Sequence, residues 1–234
     1  MGIKERHERD REAVRRAILD AARDLFVIEG YHNVSIRKIA ERIEYSPAAI
    51  YSYFPSKDDI FFELAEEGFR LLSAQRSDDE VFAALPPLDR VRTIFWRLYE
   101  FSRDQPQYFA LMFVDRSVPR ITREYERFAF ARDLKFWIAG HIQACIDANI
   151  FPASVKPMAA FRILTMGLLG VAVMHLSDRL GPLENPDDLA RDVLDVGIAG
   201  LQSGMVLRST GIHCPEDEAR LTSEISTPAA RSTR

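Results

Sequence analysis

The 234-residue chain predicts an all-α fold, with a small N-terminal helical module followed by a larger helical domain. Three observations carry the prediction. Apolar residues recur at steps of three and four in almost every periodic segment. No stretch shows strand-like alternation closed by a hairpin turn. Capping residues and prolines fall between the periodic segments, where helices start and stop.

The elements follow in order. Val14, Ile18, Ala21, Leu25 and Ile28 predict one buried face of a first helix, closed by Gly30 as a left-handed cap. Ser35 is a good N-cap for IRKIAERI, where Ile36, Ile39, Ala40 and Ile43 supply a short apolar face. Ser46 caps a second short helix, and Pro47 occupies its first position, where a missing N–H costs nothing. Phe54-Pro55 stops that helix, because the residue before proline avoids the α region. Ser56 starts a longer helix with Asp59 three residues on, a capping-box pattern, and Ile60, Phe61, Leu64, Ala65 and Leu72 face its core. Residues 76–87 read as a linker. Further helices are expected at about 88–104, 107–114, 121–149, 157–178 and 186–207, with Pro106, Pro119, Pro152 and Pro182 between them. Asn185-Pro186-Asp187-Asp188 is a strong helix start: a cap, an N1 proline and acids at the positive dipole end. From residue 211 the chain turns polar and is expected to lack stable order.

Composition narrows the function. The formal net charge is -4, but residues 1–57 carry 11 Lys/Arg against 9 Asp/Glu, so the remainder carries 20 against 26. That asymmetry favours an anionic partner at the N-terminal end. Cys145 and Cys214 fit no disulfide framework and no CxxC site, which suits a reducing cytoplasm. The N-terminus lacks the apolar stretch of a secretory signal, and the longest apolar run, MGLLGVAVM, is about half a membrane span. A cytoplasmic protein without membrane contact is expected. No GxSxG, Walker loop, post-strand GxGxxG or HExxH motif is present, and acidic pairs sit at helix caps or in the linker. No enzyme and no cofactor are expected. His141 and Cys145 stand four apart on one helix, but two ligands are too few for zinc, so no metal is expected either.

Two short helices joined by a tight turn form the helix-turn-helix pattern, whose second helix enters the major groove. An ordinary αα-hairpin has the same outline. Charge favours the first reading. Arg37 and Lys38 follow the cap Ser35, and Lys57 follows Ser56, although helix starts prefer anions. Such cations suit docking DNA phosphates, and the weaker alternative is that solvent screens them.

The stretch SIRKIAERIEYSPAAIYSYFPSKDDIF resembles the DNA-binding signature of TetR-type (TetR/AcrR) transcriptional regulators. Ser35, Ile39, Ala40, Ser46, Tyr51, Phe54 and Lys57 fit that signature in order and spacing, and helix 12–29 with Gly30 fits the first helix of the module. The resemblance covers about the first 70 residues; the later helices are similar in number and order only. It implies that Arg37, Pro47, Ala48, Ala49, Tyr51 and Ser52 face the groove, that Ser35, Ser46, Tyr53 and Lys57 contact phosphate, and that Ile50 and Phe54 are core. Ala48, Ala49 and the Tyr51 ring can touch thymine methyls, and Arg37 can read a guanine edge. Lys4, Arg6, Arg9 and Arg11 either reach an adjacent groove or form a solvated tail. One residue departs from the pattern: Glu44 stands where the turn usually carries glycine. Either it adopts a left-handed conformation at a cost of about 1 kcal/mol or more, or the turn differs here.

The expected organisation is a helix-turn-helix DNA-binding domain over 1–57, a connecting helix and linker over 58–87, a helical ligand-binding and dimerisation domain over 88–210, and a tail over 211–234. A lone helix-turn-helix reads one half-site, so a homodimer is expected. Gly167, Gly170, Gly197, Gly200 and Gly204 suggest close helix approach and place the dimer interface near 157–178 and 186–207, an arrangement the resemblance also implies. Packing within the chain is the competing role for those glycines. The middle helices are rich in aromatics. Phe95, Tyr99, Phe113, Tyr125, Phe128 and Trp137, with His141, Arg162 and Met166, are the candidates to contact a small, largely apolar effector; Thr165 and His175 are further polar groups on these faces. Taken together these features point to a ligand-responsive regulator, a repressor by the resemblance, that binds a palindromic operator through helix 47–54. A helical small-molecule-binding protein or enzyme with a vestigial DNA module is the alternative.

Overall fold

The computed structural model describes residues 3–74, 80–115, 118 and 129–208, and every regular element among them is helical. The N-terminal part comprises α1 (Ile3–Glu29), α2 (Ile36–Arg42), α3 (Pro47–Tyr51) and α4 (Lys57–Ala74). Then follow α5 (Glu80–Ala84), α6 (Pro87–Asp104), α7 (Pro106–Phe109), α8 (Ala129–Asp147), α9 (Pro157–Leu176) and α10 (Pro186–Gln202). A 3-10 turn, Tyr31–Asn33, follows α1, and a π-helical turn, Ala110–Val114, continues α7.

The caps form as their sequence suggests. The Ser35 hydroxyl accepts from the Lys38 N–H at 3.2 Å, and the Ser46 hydroxyl accepts from the Ala49 N–H at 3.1 Å. Ser56 accepts from the Asp59 N–H at 3.2 Å and donates its hydroxyl to the Asp59 carboxylate at 2.7 Å. Asn185 accepts from the N–H groups of Asp187 and Asp188 at 2.9 and 3.3 Å.

Glu44 adopts the left-handed conformation, with φ 61°. The Tyr45 N–H donates to the Ala40 carbonyl at 2.9 Å, and the Glu44 N–H to the Glu41 carbonyl at 3.3 Å. This is the Schellman pattern, in which a left-handed residue satisfies the last helical carbonyls. The motif recurs at the ends of α8 and α9, around Asn149 (φ 58°) and Asp178 (φ 52°). Gly30 differs from the expected left-handed cap. Its φ of 81° is paired with ψ 145°, a region essentially reserved for glycine.

Two apolar cores result. In the first, Ile18, Ala22 and Phe26 of α1 meet Ile39, Ile50, Phe54, Ile60, Phe61 and Leu64. Phe101, Tyr108, Phe109, Leu111 and Ala172 from the later helices complete it. The expected face of α1 is corrected at its end: Ile28 is 78% exposed, and burial follows Ile18, Leu19, Ala22 and Phe26. A strict 3.5-residue spacing drifts off one face of a helix with 3.6 residues per turn, by about 20° per heptad. Residues 76–87 are not simply a linker. They include α5, whose Phe82 is buried against Trp137 of α8.

The second core joins Val91 and Phe95 of α6, Leu134, Ile138 and Ile142 of α8, Leu164 and Leu168 of α9, and Leu194 and Ile198 of α10. α9 lies at its centre, packed against α6, α8 and α10. Among the described residues α9 alone is long and apolar enough to cross a membrane, with mean hydropathy 1.7 over its most apolar stretch. The glycines divide by role. A Cβ on Gly167 would lie 2.6 Å from Val193 Cγ1, and one on Gly197 would lie 2.7 Å from Leu164 Cδ2, so these two let α9 and α10 approach within the chain. A Cβ on Gly170 would meet nothing within 4 Å, and Gly204 lies beyond the end of α10 with φ 74°. The 121–128 part of the helix expected over 121–149 and the polar tail from 211 lie outside the described residues.

Candidate functional site

α3 ends at Tyr51, short of the 47–54 expected, and the helix with the turn after it sorts its residues by face. Ile50 and Phe54 point into the first core at 0% and 2% exposure. Pro47, Ala48, Tyr51 and Ser52 are left exposed, with Ala49 and Tyr53 half-buried. Ser35, Arg37 and Ser46 are exposed on the adjoining elements. The surface therefore offers an aromatic ring, small apolar groups and hydroxyls, with little charge.

The cations near the helix starts are engaged within the fold. Arg37 Nε donates to Glu41 Oε1 at 2.8 Å, and Lys38 pairs with Glu29. Lys57, at a helix start that would prefer an anion, is compensated within the fold. Its ammonium donates to the carbonyls of Tyr31 (2.7 Å) and Val34 (2.9 Å) and lies 4.0 Å from the Tyr31 ring centroid. Burial holds its pKa below the ordinary lysine value, against the opposing pull of Asp58. Those carbonyls lie 26 and 23 residues back in the chain, so no local pattern announced them.

Tyr31 joins several elements. Its ring packs on Phe26 and Phe61, and its hydroxyl donates to the Asp58 carboxylate. Its backbone N–H donates to Asp115 Oδ2 at 3.1 Å, directly after the π-helical turn. A second tie joins α1 to α4: Arg16 donates to both carboxylate oxygens of Glu67 at 2.7 and 2.8 Å, and Arg15 pairs with Glu63. Burial alone would raise the pKa of Glu67, but hydrogen bonds from Arg16 and Tyr108 outweigh it and hold the carboxyl below its ordinary value.

A cavity of about 100 Å³ lies among α4, α6, the π-helical turn, α8 and α9. Of the expected ligand contacts, Phe95, Phe113 and Trp137 line it. Tyr99 does not. It packs against Trp96 and donates its hydroxyl to Asp187 Oδ1 at 2.7 Å, towards α10. His141 stands behind the wall, edge-on to Trp137 and Phe82. Arg162 and Met166 do not line the cavity either, and Met166 is 64% exposed. α9 turns Phe161 and Thr165 to the cavity, and the residue after each is rotated by about 100°. Tyr125 and Phe128 lie outside the described residues. Sequence reasoning left Arg97, Lys135 and Phe161 out of the ligand-contact set, although they line the cavity. An arginine amid the apolar face of α6, beside Ile94, Phe95 and Leu98, was the available signal. The Thr165 hydroxyl is buried without a hydrogen-bond partner.

α9 and α10 also share an outer apolar face. Ile163 and Val196 are 37% and 71% exposed, and a shallow groove between them is floored by Leu164, Gly167 and Val193. Met166 and Met174 extend the face along α9.

Residues 18–64 match the family described as bacterial regulatory proteins, tetR family. Over 73 residues the chain is 36% identical to an HTH-type transcriptional repressor of Mycobacterium tuberculosis; the match spans 31% of this chain and 39% of that repressor. Two solved structures are similar across most of the chain. One is the fatty acid degradation regulator FadR of Bacillus halodurans, at TM-score 0.66 and 16% identity, covering 80% of this chain and 95% of that one. The other is the transcriptional regulator FadR of Bacillus subtilis in complex with stearoyl-CoA, at TM-score 0.64 and 14% identity, covering 84% and 98%. At these identities the likeness is one of fold.

Proposed function

We propose, from the match of its N-terminal module and from its fold, that the chain is a TetR-type, cytoplasmic, ligand-responsive transcriptional repressor, not an enzyme, that binds a palindromic operator as a homodimer. The observation that carries this reading is the division of α3 and the turn after it, with Ile50 and Phe54 locked inward while Pro47, Ala48, Tyr51 and Ser52 are presented to solvent. Arg37, Ala49 and these four residues are proposed to face base edges, with Ala48, Ala49 and Tyr51 against thymine methyls. Ser35, Ser46 and Tyr53 are proposed to contact phosphate. Lys57 has one N–H left beyond its two carbonyls, and that N–H is proposed to do the same. Glu44 keeps the turn that glycine would make, which removes the main support for a vestigial module.

The outer face of α9 and α10 is proposed to pair with its copy, burying Ile163, Met166 and Val196. The apolar cavity is proposed to take the effector. The π-helical turn can transmit its presence: Phe113 walls the cavity, Met112 packs where a Cβ on Gly68 of α4 would lie 2.5 Å from its sulfur, and Asp115 holds Tyr31. Displacing Phe113 thus loads both α4 and the turn before α2, and changes the spacing of the two reading helices.

Fluorescence anisotropy with duplex DNA from upstream of the chain's own gene tests the reading. Salt-dependent binding is expected, with Tyr51→Ala changing sequence preference. Binding no stronger than to an unrelated duplex at low salt would sink it.

A further inference from the structure

The cavity wall limits what can fill it. Phe95, Leu98, Phe113, Ile138 and Phe161 make it apolar, and no acid is among the described lining residues. Arg97 and Lys135 reach the wall, but their charged heads are engaged elsewhere. The guanidinium lies 5.7 Å from the ring centroid of Phe82 and the ammonium 5.4 Å from that of Phe136. Neither ring is among the described lining residues. A charged ligand would lose its water here and gain no counter-ion from those residues.

One polar group stands apart. A hydroxyl within a helix can donate to a carbonyl three or four residues back. Thr93 does so to Asp89 at 2.8 Å, and Ser102 to Tyr99 at 2.6 Å. Thr165 of α9 does not. Its hydroxyl is buried and has no partner, the one such side-chain group among the described residues. Native proteins rarely leave a buried hydroxyl unmatched. Thr165 lines the cavity, so a bound molecule can supply the match. Volume sets the size of that molecule. An apolar cavity of about 150 Å³ holds benzene, and this one measures about 100 Å³.

We propose that the effector is a compact, uncharged molecule of about one ring with a single acceptor oxygen, a ketone or an ether, to which the Thr165 hydroxyl donates. The inference rests on reading this cavity as the effector site. It makes Thr165 the residue that separates an oxygenated ligand from a hydrocarbon of the same shape, while the apolar wall rejects acids and amines.

The test titrates the full-length protein with three probes of similar size: cyclohexanone, its hydrocarbon isostere methylenecyclohexane, and the anion cyclopentanecarboxylate. Ligand-observed NMR gives the affinities and thermal shift checks them. The anion is expected to bind at least about tenfold more weakly than the ketone, because its charge must be buried. Thr165→Val is expected to lower the ratio of ketone to hydrocarbon affinity about fivefold, the scale of one neutral hydrogen bond, and Thr165→Ser to keep that ratio. Without ligand, Thr165→Val should also raise Tm by about 2–4 °C, by removing an unmatched hydroxyl. The inference is overturned by an anion that binds as tightly as the ketone, by an unchanged ratio in Thr165→Val, by a fall in Tm of that variant, or by no binding of the ketone. Upstream duplex binding is measured on the same samples. Intact duplex binding with no ketone response refutes the ligand class alone, whereas ketone binding without duplex binding refutes the regulator and leaves the ligand class standing.

Discussion

Replacing Glu44 by glycine should stabilise the protein, and the size of the gain follows from the turn geometry. Glu44 has φ 61° and closes α2 with two backbone hydrogen bonds that do not involve its side chain. Its Cβ makes the left-handed conformation cost about 1–2 kcal/mol. Glycine removes that cost but gives the unfolded chain more freedom, worth about 0.4–1 kcal/mol in the opposite sense. The net expectation is a gain of about 0.5–1 kcal/mol, the difference between those two effects. Glu44→Ala is the control, since it deletes the carboxylate and keeps the Cβ. Asn149→Gly calibrates the same motif with a residue that tolerates the left-handed region better, so its gain should be smaller. Urea unfolding, with the slopes compared, measures all three. If Glu44→Ala stabilises as much as Glu44→Gly, charge and not backbone strain is the cause, and the reasoning fails. A loss of stability in Glu44→Gly would refute it outright.

Other expectations follow from the packing and the titrating groups. Gly197→Ala places a Cβ 2.7 Å from Leu164 Cδ2, so overpacking of about 1–3 kcal/mol is set against about 1 kcal/mol of helix propensity gained, a net loss of at most about 2 kcal/mol in urea unfolding, whereas Gly170→Ala meets nothing and should not destabilise the chain. Val196→Asp puts a charge on the outer face of α9 and α10 and should leave a folded monomer in sedimentation velocity, since Val196 is exposed within the chain. Glu67, held below its ordinary pKa, contributes stability above the usual carboxylate range, and that contribution is lost as pH falls through its depressed value. Glu67→Gln should therefore be destabilising at neutral pH, and its deficit should shrink on acidification below about pH 4, the unperturbed glutamate range. Burial pushes the Cys145 thiol up to about 11, so it should resist a thiol reagent at neutral pH until the protein unfolds.

What could be read from the sequence was what a few neighbouring residues decide. Ser35, Ser46, Ser56 and Asn185 cap helices through partners two or three residues ahead, and all four formed as expected. The inward placing of Ile50 and Phe54 followed because they are four residues apart between a cap and a proline, although the helix itself ends at Tyr51. α9 resisted the same approach. It is apolar on nearly every side, serving the second core, the cavity and the outer face, so its sequence carries no pattern to separate Thr165 from Met166. α5 was missed because a five-residue helix with one buried aromatic sits in a polar, proline-ended stretch. The partners of Lys57 and of Tyr99 lie 26 and 88 residues away, set by tertiary structure alone.

The first core has a consequence for where this protein can be cut. The family match ends at residue 64, yet the core beneath it is closed by Phe101, Tyr108, Phe109 and Leu111, each at most 5% exposed, and by Ala172 of α9. A fragment ending within or just after α4 would bare Phe26 and Phe61 to water and would lose the clasp of Asp115 on Tyr31. The sequence match stops at a segment that should not be stable alone. It is expected to melt with the helices that cover it, and calorimetry should register one cooperative transition where the sequence suggests two pieces.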